Sequence, residues 1–539
     1  MTGVGVVAIV HPMNGARTGR AALLALAMLA WATLVIFFAA APIERVLALI
    51  PDDASYFFEI AENASSGKGF TFDSLGATNG YQPLWVYFLV PLFRFVPAEP
   101  EAMVRIIAVI QVFLSGAALL ILHRLLKRIC SAFAAPAGAL FFVAFVLAPA
   151  VNGMESALLV LLLLLTVDRA VRSGFPDLCG RAESFRIGLL LGLVVMARLD
   201  TAFLCIAVAL LLLLSAIRGK KRKKRIAALG MTTLGASLVI LPYLIYNEAR
   251  FGSPMPISGL LKSSFPLVAA KRGMLLEPGP VGLFALALGV LHLVSYVMRR
   301  GKERNLLDGA IAALVVAFLL HYAHTVLFMR WAVFRWHFMG YRVLAALALP
   351  CLLDRFSGFL PRPSRIAAGV LVIAAIILSG SERYWNRFTA EPRDHWSVAA
   401  YEAAVWAREN TPKEAIFAMK DAGHFGYFSG RRVVSLDGIV GDIAFQEVLR
   451  ERRLGTWLES RGVSYLVQHA FWEYPAVNDG TYETVGLTYT SRLHLVESDT
   501  LRLSCEEEIY RSSPYRDGSH ETVFVIWRMD RQGIPGNND

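Results

Sequence analysis

The chain has few charges and few cysteines for its length. Among 539 residues only 18% are charged and five are cysteine, whereas 56% are hydrophobic and the mean hydropathy is +0.52. Soluble domains average about 25% charged and about 45–50% apolar residues, so the composition excludes a disordered or mainly soluble protein. The cysteines show neither a CxxC pair nor metal-ligand spacing, and they indicate no disulfide framework and no zinc site. The sequence therefore predicts a polytopic membrane protein.

Acidic residues are outnumbered, which gives a net charge of +11. In membrane proteins an excess of Lys and Arg marks cytoplasmic loops, so this charge does not require nucleic acid as a partner, and we expect none. The basic run 218–225 is typical of such a loop. A lipid head-group or nucleic-acid site is the weaker interpretation of that run.

Apolar runs that alternate with basic clusters predict eleven crossings, with the N-terminus inside and the C-terminus outside. The expected runs are 21–42, 102–122, 131–150, 155–171, 187–217, 226–246, 279–298, 306–328, 341–353 and 366–378. Run 187–217 contributes two crossings. Basic residues that mark the cytoplasmic side flank both of its ends, and Arg198-Leu199-Asp200 suits the tip of a hairpin. Segment 83–97 is short and bounded by prolines, and we expect it in the outer interface.

Two domains are expected. Residues 1–380 form the membrane domain, with the first outer loop at 51–101, and residues 381–539 form a soluble outer α/β domain. Alternating patterns predict strands and helices in the outer domain. The strands are 415–419, 433–436, 463–467 and 523–527, and the helices are 396–409 and 445–461. No internal repeat suggests an inverted-repeat transporter.

Carboxylates lie at two expected outer positions. Asp52 and Asp53 follow the first span, and such a pair can act as a general base or as metal ligands. Alternatively, these residues favour the start of a helix, where acidic side chains are stabilising. Glu155 begins a returning helix and has the same two interpretations.

Basic residues on the expected outer side break the positive-inside pattern. Arg330, Arg335 and Arg342 lie among aromatic residues, and such arginines are suited to an anionic ligand such as phosphate. An interfacial aromatic belt with head-group contacts is the alternative. Lys262 is either a phosphate ligand or a side chain that extends to the membrane surface. His321 and His324 are four residues apart, which is typical of a packed polar pair rather than a metal site.

Several short motifs occur in an order that resembles a known family. They are Asp52-Asp53-Ala54, the run 78–85, Gly153-Met154-Glu155, Arg198-Leu199-Asp200, Phe251-Gly252 with Lys262, and the run 421–427 with Asp437-Gly438. As a set they resemble the GT-C superfamily of polyprenyl-phosphate-dependent glycosyltransferases. They are similar to the bacterial and mycobacterial terminal arabinofuranosyltransferase-like family in particular. The family pattern often has Pro-Glu where this chain has Leu199-Asp200.

This resemblance implies a GT-C helix bundle with a C-terminal extracytoplasmic domain in the bacterial inner membrane. The implied reaction is inverting transfer of a sugar, such as arabinofuranose, from a polyprenyl-phosphate donor to a cell-envelope glycan or glycolipid at the outer leaflet. Asp52 or Asp53 is the expected base. The expected ligands of the donor phosphate are Lys262, Arg330, Arg335, His337 and Arg342. The residues expected in the sugar and acceptor pocket are Tyr56, Asn79, Tyr81, Gln82 and Glu155.

Some choices stay open at this point. Asp421, His424 and Asp437 are either acceptor contacts or turn residues of the outer domain. No cofactor is required, although the carboxylates leave room for a divalent metal ion. The alternatives to the expected function are another GT-C enzyme, such as a protein or lipid A glycosyltransferase, a lipid or solute transporter, and a sensor that binds cell-wall sugar.

Overall fold

The computed structural model describes most of the chain. The described residues are 14–131, 133–218, 221–299, 306–331, 333–389, 395–442, 444–471, 481–487, 498–504, 507–517 and 520–529. Helices fill the N-terminal part, and a mixed sheet with helices follows near the C-terminus.

Long helices dominate the part of the chain before residue 390. They are α1 (Asn14–Ala40), α2 (Ile43–Leu47), α3 (Asp52–Ser65), α4 (Pro83–Phe95), α5 (Pro100–Ile129), α6 (Ala135–Phe142), α7 (Ser156–Ser173), α8 (Arg181–Ala197), α9 (Ala202–Arg218), α10 (Arg222–Phe251), α11 (Ile257–Lys262), α12 (Gly279–Met298), α13 (Leu306–Phe328), α14 (Met339–Ser357) and α15 (Arg362–Thr389). A π-helical turn, Val143–Leu147, extends α6. Short 3₁₀ turns lie at Leu199–Thr201, Arg272–Leu275 and Arg335–Phe338.

Seven helical segments in the described part of the chain are long and apolar enough to cross a membrane. They are Pro100–Ile129, Leu199–Ile217, Arg222–Phe251, Gly279–Met298, Leu306–Phe328, Arg335–Ser357 and Pro363–Thr389. This is the pattern of a multi-pass membrane protein. The other expected crossings coincide with α1, with α6 and its π-helical turn, with α7 and with α8, which are not among the seven. The eleven crossings and their direction therefore stay predictions.

Helix α4 is shorter than the membrane is thick. It has 13 residues, or about 20 Å at about 1.5 Å per residue, against about 30 Å for a hydrocarbon core. The helix packs on α3, and its Trp85 indole N–H donates to the Gly153 carbonyl at 2.9 Å. The position of α4 in the outer interface stays a prediction, and its short length is consistent with that position.

Helices α8 and α10 pack through glycines. A Cβ at Gly188 would lie 2.2 Å from the Thr232 carbonyl oxygen, and one at Gly235 would lie 2.3 Å from the Phe185 carbonyl oxygen. Small residues therefore allow these two backbones to approach closely. The 3₁₀ turn Leu199–Thr201 separates α8 from α9, at the place where the sequence predicted the charged tip of a hairpin.

In the described residues after 394, four helices are combined with eight strands. The helices are α16 (Trp396–Asn410), α17 (Gly423–Ser429), α18 (Phe445–Arg450) and α19 (Leu454–Ser460), and the strands are β1 (Ile416–Met419), β2 (Arg432–Ser435), β3 (Tyr465–Phe471), β4 (Thr481–Leu487), β5 (Ser498–Ser504), β6 (Glu508–Arg511), β7 (Tyr515–Asp517) and β8 (His520–Arg528). The main sheet has the order β2-β1-β3-β8-β6, with β7 also paired to β8. Strands β1, β2 and β3 are parallel, and β8 is antiparallel to its neighbours.

The expected α/β character of this part is confirmed. Strands β1, β2, β3 and β8 and helix α16 lie where the alternating patterns predicted them. The single helix predicted over 445–461 is wrong, because Arg452 adopts a left-handed φ of +52° between α18 and α19. A residue in that conformation cannot continue a right-handed helix. Strands β4 to β7 were not predicted.

Helix α3 joins the two parts of the chain. It packs against α17 of the C-terminal part, while α2 packs against α16. The Ile50 carbonyl, just before α3, accepts hydrogen bonds from both Ser397 and His424. Helices α2 and α3 and the turn between them thus form the surface against which the C-terminal domain packs.

Candidate functional site

The two carboxylates expected to be catalytic begin α3. Pro51 is extended, and Asp52 and Asp53 form the first helical turn. Acidic groups at this position are stabilised by the positive end of the helix, which is the alternative role considered for them from the sequence. Their surroundings, however, differ sharply.

Asp52 holds the start of α17. Its Oδ2 accepts the backbone N–H of Gly423 at 2.9 Å, and its Oδ1 accepts that of His424. A Cβ at residue 423 would lie 2.2 Å from the Asp52 carbonyl oxygen, so only glycine fits there. Burial raises the pKa of Asp52 well above its ordinary value, although the two N–H groups lower it. Both of its oxygens therefore serve to join the two parts of the chain.

Asp53 has a free carboxylate. It is partly buried and forms no hydrogen bond or ion pair with the residues that the structure describes. Burial raises its pKa above the ordinary value, Lys262 and Arg198 lower it, and Asp421 raises it. A carboxylate with a raised pKa that faces cations without pairing to them can accept a proton from a bound ligand. Of the two adjacent aspartates, Asp53 is the one whose carboxylate has no hydrogen bond to the described residues.

Lys262, the last residue of α11, is near enough for its charge to act on Asp53. Among the charges that act on Asp53, its ammonium has the largest effect. The Arg330 N–H donates to the Lys262 carbonyl at 3.0 Å, and the Lys262 Nζ lies 6.0 Å from the ring centroid of Trp331. The Nε of Arg330 is buried without a hydrogen-bond partner. Two segments that were expected to bind an anion therefore meet at Lys262.

Asp421 is a third carboxylate near Asp53. It has a left-handed φ of +52° between β1 and α17, a conformation that non-glycine residues rarely adopt outside special sites. Its Oδ2 lies 3.5 Å from the His469 Nε2 and 3.8 Å from the Lys420 Nζ. Burial raises its pKa, but His469 and Lys420 outweigh that effect and hold the pKa below its ordinary value. Asp421 is thus an ionised neighbour, and its negative charge raises the pKa of Asp53.

Tyr56 and Asp437 form a buried link between α3 and the C-terminal domain. The Tyr56 hydroxyl donates to the Asp437 Oδ2 at 2.9 Å and accepts the Ala422 N–H at 2.7 Å. The other oxygen of Asp437 accepts the Ser435 hydroxyl at 2.6 Å and the Ile439 N–H at 3.0 Å. The sequence placed Tyr56 in the sugar pocket. In the structure its hydroxyl is fully used by this link.

His424 is a neutral part of the same interface. Its Nε2 lies 3.1 Å from the Ile50 carbonyl, and its Nδ1 lies 2.7 Å from the Ser55 hydroxyl. Because a carbonyl only accepts, Nε2 carries the hydrogen and Nδ1 accepts from Ser55. Burial lowers the pKa of His424 to about 3. His424 therefore packs the domain junction rather than titrating near neutral pH.

Glu155 lies in a buried ion network. Its carboxylate pairs with Arg198, which is 3% exposed and also donates to both oxygens of Asp200 at 3.0 Å. Asp200 in turn lies 3.6 Å from the His321 Nε2, and the Nδ1 of His321 lies 2.8 Å from the Tyr341 hydroxyl. Arg198 thereby anchors the returning helix α7 to the 3₁₀ turn after α8, and it carries one of the charges that act on Asp53.

Three contacts fix the loop before α4. Asn79 accepts the Ile257 N–H at 2.9 Å and so fixes the start of α11. Gln82 accepts the Leu199 N–H at 3.2 Å, and Tyr81 is buried against Phe70. These residues were expected in the sugar pocket, and the structure shows that they hold the elements that carry Lys262 and Arg198.

The five residues expected to bind the donor phosphate lie in two places. Lys262 faces Asp53, Arg330 is bonded to Lys262 through the backbone, and the charge of Lys262 acts on the imidazole of His337. Arg335 and Arg342 instead line a separate cavity of about 540 Å³.

Two further arginines, Arg383 and Arg387, line the same cavity. Sequence reasoning missed them because it ended the last apolar run at residue 378, whereas α15 continues to Thr389. Two arginines four residues apart on one helix face, beyond an apolar run, were the available signal. We call the cavity lined by Arg335, Arg342, Arg383 and Arg387 the arginine pocket.

In the part of the chain that the structure describes, no three His, Cys, Asp or Glu side chains are grouped so that they could hold a metal ion. His321 and His324 have partners within the protein. His321 contacts Asp200 and Tyr341, while the His324 Nε2 lies 3.2 Å from the Ser263 hydroxyl.

Comparison with protein families finds one match, to a family described as "Domain of unknown function (DUF8728)", over residues 389–510. The match spans most of the C-terminal domain. A search of curated proteins finds no match.

Solved structures give similar folds. The crystal structure of the Archaeoglobus fulgidus oligosaccharyltransferase in the apo form has a TM-score of 0.50 at 15% identity, over 83% of this chain and 69% of that one. The same enzyme tethered to an acceptor peptide with an NVT sequon has a TM-score of 0.49 at 16% identity, over 84% and 69%. ArnT from Cupriavidus metallidurans bound to undecaprenyl phosphate has a TM-score of 0.48 at 10% identity, over 90% and 98%.

At such identities the likeness concerns the fold. It says nothing about arabinofuranose or a particular acceptor. The expected mostly helical bundle with a C-terminal sheet domain is confirmed, and its fold is similar to that of the archaeal oligosaccharyltransferase.

Proposed function

We propose that the protein is a membrane glycosyltransferase that moves a sugar from a polyprenyl-phosphate donor to a hydroxyl group of a cell-envelope glycan or glycolipid. The observation that carries this proposal is the free carboxylate of Asp53, which has a raised pKa and faces Lys262. The fold shared with an oligosaccharyltransferase supports the class of enzyme. The choice of arabinofuranose as the sugar rests on the sequence resemblance alone.

In the proposed reaction Asp53 takes the proton of the acceptor hydroxyl. The acceptor oxygen forms a bond to the anomeric carbon while the bond from that carbon to the phosphate oxygen breaks. The electron pair of the broken bond stays on the phosphate. Because attack and departure occur on opposite faces, the configuration inverts. A positioned general base of this kind contributes about 10²- to 10⁴-fold to the rate.

Lys262 is the proposed partner of the leaving phosphate. It is close enough to act on Asp53 but does not pair with it, so a sugar can lie between base and cation. A positive charge beside the departing phosphate stabilises the charge that develops in the transition state. Arg330 and His337 are proposed to assist, because both are joined to Lys262 through contacts or charge.

The C-terminal domain is proposed to select the acceptor. It rests on α3 through Asp52, Tyr56 and His424, and it brings Asp421 to the side of Asp53. We place this site and the C-terminal domain outside the bacterial plasma membrane, with one crossing between the inner N-terminus and Asp53 and eleven between the N-terminus and the C-terminal domain. The positive-inside pattern supports this direction.

The test is turnover by the purified full-length protein. Polyprenyl-phosphate sugars, including the arabinofuranose donor, are incubated with envelope glycans and glycolipids, and the product linkage is assigned by NMR. We expect a glycoside of inverted configuration. A retained configuration, or lipid movement across a vesicle membrane without any product, would contradict the proposal.

A further inference from the structure

All the charged side chains that line the arginine pocket, among the described residues, are basic. Its lining includes the four arginines and His395, and it includes no Asp or Glu among the described residues. The remaining wall is largely apolar, with Phe145, Met339 and Leu49 as examples. A cavity of about 540 Å³ is large enough for a small ligand or a ligand head group.

The arginines of the pocket have few protein partners. Arg342 donates to the Phe145 carbonyl at 3.0 Å, and the guanidinium of Arg383 lies 5.5 Å from the Phe145 ring centroid. The Arg387 Nε is buried without a hydrogen-bond partner. None of the four forms an ion pair with a carboxylate in the part of the chain that the structure describes.

Four guanidinium groups in one cavity repel one another. Arg335 and Arg383 are exposed, but Arg342 and Arg387 are partly buried, and a partly buried charge is costly unless an anion neutralises it. Guanidinium groups match the planar and tetrahedral geometry of carboxylate and phosphate oxygens with paired hydrogen bonds. The pocket therefore fits a ligand with more than one negative charge.

The walls of the pocket are held in place by the protein itself. Tyr384 donates to the Val143 carbonyl at 2.7 Å, and Arg342 binds the Phe145 carbonyl in the same π-helical turn. Such turns occur frequently at functional sites. Gly380 brings α15 close to this turn, because a Cβ there would lie 2.7 Å from the Ala144 side chain. The four arginines are thus presented from α14, from α15 and from the 3₁₀ turn Arg335–Phe338, and both helices pack against the π-helical turn.

The pocket is distinct from the site at Asp53. Ile50 and Pro51 line it, whereas Asp52 and Asp53 lie beyond them in α3. The charges that act on Asp53 are those of Lys262, Arg198 and Asp421. The two basic places are therefore neighbours separated by the start of the first outer loop.

We propose that the arginine pocket is a second phosphate site, which binds the phosphate or diphosphate head group of a lipid other than the donor at Asp53. The apolar part of the wall suits the chain next to that head group. Helix α15 adds to this, because Val370, Leu371 and Leu378 are exposed along its apolar length. The proposal does not depend on sugar transfer, since it concerns binding only.

The test counts bound lipids on the full-length protein in phosphatidylcholine nanodiscs. The probes are undecaprenyl phosphate, undecaprenol as the matched lipid without phosphate, and inorganic diphosphate. The variants are Arg383→Gln/Arg387→Gln, the charge-preserving Arg383→Lys/Arg387→Lys, and Lys262→Gln as the control for the other site.

We expect the wild type to bind two undecaprenyl phosphate molecules and the glutamine pair to bind one, with affinity for the lost site at least about tenfold weaker. Lysine keeps the charge but not the paired geometry of the hydrogen bonds, so the lysine pair should bind the second lipid with intermediate affinity. If the glutamine pair fails to fold, the affinity of the lysine pair still tests the proposal. Lys262→Gln should keep the arginine-pocket site. Displacement by inorganic diphosphate would show that the phosphate group itself is recognised.

Two results would overturn the proposal. One is unchanged stoichiometry and affinity in the glutamine pair. The other is equal binding of undecaprenol, which would mean that the pocket recognises the chain and not the phosphate.

Discussion

Asp52 and Asp53 are consecutive residues with opposite environments. The carboxylate of Asp52 accepts two backbone N–H groups from the start of α17, whereas that of Asp53 accepts none from the described residues and faces Lys262. At the start of α3, Asp52 therefore binds the C-terminal domain, whereas the carboxylate of Asp53 has no hydrogen bond to the described residues.

Replacing Asp52 should weaken the junction between the two parts of the chain. In Asp52→Asn an N–H₂ group faces backbone N–H donors, so at least one hydrogen bond is lost, at a cost of about 1–3 kcal/mol. We expect a lower melting temperature and faster amide exchange in α17, with sugar transfer reduced but present. Asp73→Asn, at a partly exposed turn residue whose carboxylate binds only nearby residues of its own loop, is the matched control. Unchanged exchange in α17 would argue against the role of Asp52.

The acid limb of the pH–rate profile should report on Asp53. A base must be ionised to accept a proton, and burial raises the pKa of Asp53, so kcat/KM should fall as the pH drops through that raised pKa. Lys262 lowers this pKa and Asp421 raises it. Lys262→Gln should therefore move the acid limb to higher pH, and Asp421→Asn should move it to lower pH.

The position of the limb, not the height of the profile, is the quantity compared in these variants. Lys262→Gln is also expected to weaken donor binding, but that alone leaves the limb of kcat/KM in place. Shifts in the same direction for both variants would show that a different group titrates.

The link between Tyr56 and Asp437 should behave as a coupled pair. Tyr56→Phe leaves a buried carboxylate oxygen and the Ala422 N–H without their partner, and Asp437→Asn disturbs the same bond. Each change should cost about 1–3 kcal/mol of stability. The double variant should fall short of the sum by about 0.5–3 kcal/mol. Thermal unfolding of the four proteins measures this, and strict additivity would mean that the bond contributes little.

Asn79 should act on the donor through Lys262. It fixes the Ile257 N–H at the start of α11, and Lys262 is the last residue of that helix. We expect Asn79→Ala to raise the KM for the donor severalfold with a smaller change in kcat. Asn410→Ala, at an exposed residue bonded within its own helix, is the control. A fall in kcat alone would assign Asn79 a different role.

Local patterns were sufficient for much of the fold. Apolar runs located the long helices, the break at Arg198-Leu199-Asp200 and the short α4, and alternating residues located β1, β2, β3 and β8. The helix predicted over 445–461 failed because a single left-handed residue, Arg452, divides it. Arginine has no marked preference for that conformation, so nothing in the local sequence signals it.

The site was predictable only in part, because its contacts join distant segments. The pairing of Asp52 with Gly423 spans 371 positions, and that of Tyr56 with Asp437 spans 381. A periodic pattern reveals which residues share a helix face, but not which of two adjacent aspartates meets a backbone from the other end of the chain. Arg383 and Arg387 were missed because the last apolar run was ended at residue 378, although α15 continues to Thr389 and packs there against the π-helical turn.

The most direct test of the account is sugar transfer by Asp53→Asn beside the wild type and Asp52→Asn. Asparagine is nearly the same size and cannot act as a base, so we expect Asp53→Asn to keep the melting temperature of the wild type and to lose about 10²-fold or more in kcat. Asp52→Asn should show the converse, with lower stability and residual transfer. Wild-type rates of transfer in a folded Asp53→Asn protein would contradict the account.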